Sequence, residues 1–206
     1  MSKKHKNEIE EFAGISDMLE GKHQVIPIVS TEDDEITTDV VIPDQLPILT
    51  LRSSVLFPGS ITPITVGREK SMRLIREVEN GAGILGAALQ KEADIEQPGP
   101  DDIYKIGTAA RILKILEMPN GNLTVILHGL EKIEITEFLS SDPYFTAKVN
   151  PLKDSAPERG NVEFDALVDS IRDVALNIIN ISPNMPKEAS FAIKNIDSKR
   201  GIINFI

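Results

Sequence analysis

The sequence predicts an α+β protein: a compact, partly closed β domain of about six short strands and one helix, with a helical segment after it. Two observations carry the β domain. Stretches of β-branched residues alternate with polar ones between Leu46 and Val149, and turn signals separate them. A third observation carries the helical segment: from Val162 onward the apolar spacing changes from a period of two to that of a helix.

Order is expected to begin at Leu46. LPILTLR and then Ser60–Val66 read as strands, with Phe57-Pro58-Gly59 as the turn between them. Over Glu69–Asn80 the apolar residues Met72, Leu74, Ile75 and Val78 fall at helical spacing, and Gly81 follows where helices stop. Ile84–Gln90 reads as a buried strand and KEADIEQPGPDD as a polar loop. Ile106–Glu117 and Leu123–His128 read as a hairpin, because Asn120-Gly121 supplies the positive φ angles of a tight turn. Lys132–Phe138 and Tyr144–Val149 read as two further strands. Residues 153–160 read as a linker and Val162–Ile181 as a long helix, whose one apolar face holds Phe164, Leu167, Val168, Ile171, Val174, Ala175 and Ile178. A second helix is expected over Lys187–Ile196. The sequence then stops at the apolar GIINFI, which reads as the end of a fragment. The domain reading is therefore an arm (1–44), a β domain (45–152), the linker (153–160) and a truncated helical subdomain (161–206).

Charge separates the arm from the body. Residues 1–44 hold 11 acidic and 4 basic side chains, against 21 and 18 in the rest, for a net charge of −10. Such an arm buries too little apolar surface to offset its ordering entropy and is expected to be largely disordered. Its VIPIV patch, Val25–Val29, is the exception, suited to adding as a short strand or binding a partner. No basic stripe is present, which argues against nucleic acid as a partner. No apolar run approaches the roughly 20 residues that span a bilayer, and the N-terminus lacks the apolar core of a secretory signal. The chain has no cysteine, so disulfides and thiolate chemistry are excluded. A cytoplasmic location is expected.

Two motifs suggest nucleotide binding and fail on context. GAGILG at Gly81–Gly86 matches G-x-G-x-x-G, but a dinucleotide loop must follow a strand and open a helix. Here the order is inverted: Gly81 reads as a helix cap, Gly83 as a join and Gly86 as a strand glycine. VGREKS at Val66–Ser71 ends like a P-loop, but Glu69 and Ile64 stand where that loop needs glycines. The histidines (His5, His23, His128) are far apart, and neither H-E-x-x-H nor G-x-S-x-G occurs. No catalytic, cofactor or metal site is predicted, and a module that acts by binding is the reading of the residues.

Several stretches together resemble the N-terminal domain of Lon, the ATP-dependent serine protease. LPILTLRSSVLFPGSITPITVGREKS resembles its opening, LP-x-LPLR, an aromatic-Pro turn, then P-x-x-VGR-x-x-S. ILGAALQKEA resembles the next strand, ending in Gln, and DIYKIGTAARI the Gly-Thr strand after it. MPNGNLTVILHGLEKIEI resembles the hairpin and the strand that follows, while SPNMPKEASFAIKNI and GIINFI fit the helical part of Bacteroidetes-like forms. The resemblance covers about Leu46 to Ile206. It implies a PUA-like β domain and the start of a helical subdomain. It also implies selection of unfolded or damaged client proteins, a part in homohexamer assembly, and an ATPase module with ATP and Mg and a Ser-Lys protease dyad beyond Ile206.

Contact residues are expected at the start of the β domain's helix, at Glu69, Lys70 and Arg73, with a Glu69–Arg73 pair as the structural alternative. Leu56 and Phe57, read as exposed, are expected to receive apolar client segments, with turn packing as the alternative. Arg52 reads as a structural hydrogen-bonder. The competing functions are a stand-alone Lon-domain adaptor or ligand-binding module and a PUA-like RNA binder.

Overall fold

A computed structural model describes residues 28–29, 40–153, 161–183, 185 and 188–206. Most of the acidic arm and residues 154–160 of the expected linker lie outside them. The strands are β1 (Ile28–Val29), β2 (Gln45–Leu51), β3 (Ser60–Val66), β4 (Ile84–Leu89), β5 (Ile106–Glu117), β6 (Leu123–Ser140) and β7 (Phe145–Pro151). Helix α1 (Glu69–Glu79) lies between β3 and β4, and α2 (Val162–Ile181), α3 (Glu188–Asn195) and α4 (Lys199–Phe205) follow the strands.

The strands form one sheet in the order β1-β3-β6-β5-β4-β2-β7, and a further β6–β7 pairing closes β2, β4, β5, β6 and β7 into a ring. All these pairings are antiparallel except β2–β4. Strand β6 makes closure possible. Its first part pairs with β3 up to His128, and from Ile133 it pairs with β7. The two strands expected from the sequence at Leu123–His128 and Lys132–Phe138 are therefore one strand of 18 residues. Leu130 is the extra residue between the Ala110↔Gly129 and Ala109↔Glu131 pairs, a bulge that turns the strand without ending it. Gly129 at that bend is required by close approach: a Cβ there would overlap the Phe57 carbonyl, and its own carbonyl accepts from Gly59 N at 2.8 Å.

Alternation along the strands fills two apolar clusters, one around Leu49, Leu74, Leu85 and Leu127, the other around Leu46, Ile48, Ile133 and Val149. Helix α1 closes the first with Leu74, Ile75 and Val78. A third cluster lies within the helical segment, built from Val168, Ala175, Ile179, Ile193, Ile196 and Ile202.

The GAGILG stretch is a helix-to-strand connection, as its context predicts. Asn80 occupies the C-cap and its side chain returns to the Arg76 carbonyl at 2.8 Å. Gly83, not Gly81, takes the positive φ, 69°. Gly86 leaves room for Ile48, whose Cδ1 would stand 2.6 Å from an added Cβ. GIINFI is also better anchored than the sequence suggests: Ser198 Oγ accepts from Gly201 N at 3.1 Å as an N-cap, and Ile202 is fully buried.

Candidate functional site

The site grows from the join between β3 and α1. Strand β3 ends at Val66, Gly67 follows, and Arg68 is the extended residue that precedes the helix. No side chain caps the first turn, but Glu69 lies in it, where a carboxylate complements the partial positive charge of a helix start. β2 and β3 are not neighbours in the sheet, and both line a cleft of about 910 Å³. The first turn of α1, the 96–98 segment and Tyr144 complete its walls.

Arg68 organises this cleft. Nη1 donates to Thr50 Oγ1 at 3.1 Å, and Nη2 donates to Gln90 Oε1 at 2.7 Å and to the Ile95 carbonyl at 3.0 Å. Gln90, 1% exposed, donates from Nε2 to the carbonyls of Glu92 and Ile95 at 2.5 and 3.1 Å. One guanidinium therefore fastens the end of β2 and the loop after β4 to the start of the helix. Burial holds the Arg68 pKa below its ordinary value; the nearby Arg52 charge adds to this and Glu96 opposes it. The cleft wall carries Arg52, Arg68 and Lys70 against Glu69 and Glu96, an excess of one positive charge in a chain of net −10.

The expected contact residues are not equivalent. Glu69 and Lys70 line the cleft. Lys70 Nζ also donates to the Ser141 carbonyl at 3.0 Å and lies 4.0 Å from Asp142. Arg73 faces solvent and donates from Nε to Glu77 Oε1 at 3.1 Å, so the i,i+4 pair is Arg73–Glu77 rather than Glu69–Arg73. Glu77 is held for that role by the Tyr144 hydroxyl at 2.8 Å. That bond and Arg73 lower the Glu77 pKa, and the same carboxylate raises that of Tyr144. Phe57 is 41% exposed, but Leu56, read as exposed, is 2% exposed and belongs to the core. The reason is a long-range tie: the Leu56 carbonyl accepts from the buried Thr108 hydroxyl of β5 at 2.6 Å, which fastens residue 56 against the core and leaves Phe57 outside. Arg68, Gln90 and Tyr144 were not singled out as a group from the sequence. The available signal was a basic residue between a strand glycine and a helix, together with a glutamine ending an apolar strand.

The Arg68 guanidinium is held by a backbone carbonyl and neutral side chains, and the polar wall of the cleft adjoins apolar surface at Pro63 and Tyr144. Among the described residues no group of three or more His, Asp or Glu side chains is placed to hold a metal ion, and no helix is long and apolar enough to cross a membrane.

Comparison with known proteins agrees with this architecture. Residues 45–206 match the family model described as the ATP-dependent protease La (LON) substrate-binding domain. A protein named Lon protease from Flavobacterium johnsoniae is 46% identical over 188 residues, covering 91% of this chain and 23% of that protein. One of the same name from Parabacteroides distasonis is 39% identical, covering 88% and 22%. The chain thus spans just under a quarter of the length of these relatives. Among solved structures, the N-terminal domain of the Mycobacterium avium complex Lon protease shares the fold at a TM-score of 0.59 and 17% identity, covering 76% of this chain and 78% of that one. A Lon N-terminal domain protein from Xanthomonas campestris does so at 0.51 and 17%, covering 78% and 95%. With its ring of strands, its helical extension and a family match running from Gln45 to Ile206, the chain belongs to the Lon substrate-binding domain family.

Proposed function

We propose that this chain is the client-selecting, subunit-contacting N-terminal part of an ATP-dependent serine protease that degrades misfolded and damaged proteins in the cytoplasm. The observation that carries this reading is the match of residues 45–206 to a substrate-binding domain, supported by relatives named Lon protease at up to 46% identity. In this reading the chain binds no cofactor, and ATP, Mg and a Ser-Lys dyad belong to later parts of a longer, hexameric protein. The cleft mouth and the exposed start of α1, with Glu69, Lys70 and Arg73, are the proposed contact surface together with Phe57. A cleft with fixed walls, mixed polar and apolar lining and a small positive excess suits short, extended stretches of varied sequence.

The test is photo-crosslinking from a reporter at Arg73 or Phe57, with reduced, carboxymethylated α-lactalbumin as a permanently unfolded client and the native protein as control. Capture of the unfolded form alone is expected. Equal capture of both forms, or of neither, would sink the reading.

A further inference from the structure

Among the described residues the sheet has one edge that its strands leave almost uncovered. β3 pairs with β6 along Ile61–Val66 on one side. On its other side β1 covers only two positions, through Ile28↔Ile61 and Val29↔Ser60. Beyond Ile61 no strand among the described residues lies against that second side. Residues 63–67, which follow along the same edge, line the cleft between β3 and β2.

The backbone chemistry of this edge follows from Pro63. Proline has no N–H to give a ladder, so it is accommodated in a strand when its nitrogen faces away from the partner. Pro63 lies opposite Ile126 of β6, so its backbone groups turn to the outer side. Backbone groups of residues two apart point the same way. Ile61 and Thr65 therefore also face outward, and among the described residues the carbonyls of Pro63 and Thr65 with the Thr65 N–H form an unfilled row beyond the β1 pairing. An open row of this kind is a template for an added strand.

We propose that the outer edge of β3 is a β-augmentation site for an extended segment of an unfolded polypeptide, and that Ile28–Val29 of the chain's own arm occupies its first rungs. The proposal rests on the client-binding reading above and supplies its mode. Main-chain pairing asks little of side-chain sequence, which suits a binder of many unfolded chains, whereas the strands of a folded protein already have partners. The arm shows that an extended segment fits this edge, since β1 is seated on it antiparallel to β3. The positive excess of the cleft wall, from Arg52, Arg68 and Lys70 against Glu69 and Glu96, tolerates carboxylates in the incoming segment. Client and arm then compete for Ile61.

The experiment uses the full 206-residue chain and fluorescein-labelled, reduced, carboxymethylated α-lactalbumin, read by anisotropy and by amide hydrogen exchange. Replacing Ile28→Pro together with Val29→Pro removes the arm's donors and is expected to tighten binding about threefold to tenfold, the scale of one net hydrogen bond. Thr65→Pro removes the outward N–H in the uncovered row and is expected to weaken binding by a similar factor. Because Thr65→Pro can also loosen β3, exchange in the unsubstituted chain is the deciding measurement: the probe is expected to slow the Thr65 amide. Unchanged affinity in the arm variant with no slowing at Thr65 overturns the edge. If the probe still binds and protects another surface, client binding stands and this mode falls. If the probe binds neither the unsubstituted chain nor any variant, both fall.

Discussion

Arg68 shows how a single side chain sets the cleft. Truncating it to alanine removes charge-assisted bonds to Thr50, Gln90 and the Ile95 carbonyl, and leaves the Gln90 oxygen buried without that donor. A loss of about 2–3 kcal/mol in urea unfolding is expected. Lysine is not expected to restore it, because an ammonium cannot reproduce the planar fork. Gly129→Ala is expected to cost about 1–3 kcal/mol by forcing the Phe57 carbonyl off the β6 bend. His128 makes a pH-dependent contribution. Burial, then the Arg111 charge, lowers its pKa below 6.5 in the folded chain. The unfolded chain therefore takes up that proton first, so stability is full above pH 6.5 and declines as pH falls toward the lower folded value. In His128→Gln this component of the slope is expected to vanish, which urea titrations between pH 7.5 and 5.5 would show by comparison.

Among the elements, α2 departs most from its sequence pattern. Helical spacing put Leu167, Val168, Ile171, Val174, Ala175 and Ile178 on one face, but the structure divides them. Val168, Ala175 and Ile179 are buried against α3 and α4, while Leu167, Ile171, Val174 and Ile178 are 41–57% exposed. The helix is apolar around more of its circumference than its two neighbours cover. Ile179→Ala is accordingly expected to cost about 2–4 kcal/mol. Leu167→Lys should change stability by less than about 0.5 kcal/mol. Thermal melts of the two variants check the assignment; equal losses would refute it.

At the scale of the molecule there are two bodies of buried side chains, the ring with α1 and the helical cluster. A contact between them is the long bond from Asn204 Nδ2 to the Pro58 carbonyl at 3.4 Å. Ile202→Ala, which opens a cavity at a fully buried position of the helical cluster, is expected to speed amide exchange in α2 while leaving Val125 and Leu127 of β6 as slow as before. Exchange that rises together in both bodies would show one cooperative unit instead.

Much of the fold was legible because its signals are local. Alternation marked the strands, the change of period marked α1 and α2, and the inverted order around GAGILG by itself excluded a nucleotide loop. The strand boundary at Gly129 is not legible because a glycine reads the same whether it ends a strand or admits a carbonyl from another segment, here that of Phe57. Leu56 and Phe57 were indistinguishable for a related reason: adjacent apolar residues in a turn differ only in which of them the Thr108 hydrogen bond turns inward. The cleft was not legible at all. It joins Thr50, Arg68, Gln90 and Tyr144 from four separate segments, and their proximity depends on closure of the ring through β6 and β7. The periodicity of the chain thus determined its elements, and its ordered motifs carried the family resemblance, since both are read from neighbours in sequence. Which charges face one another, and which edge is left unpaired, followed from long-range strand pairing that local pattern does not encode.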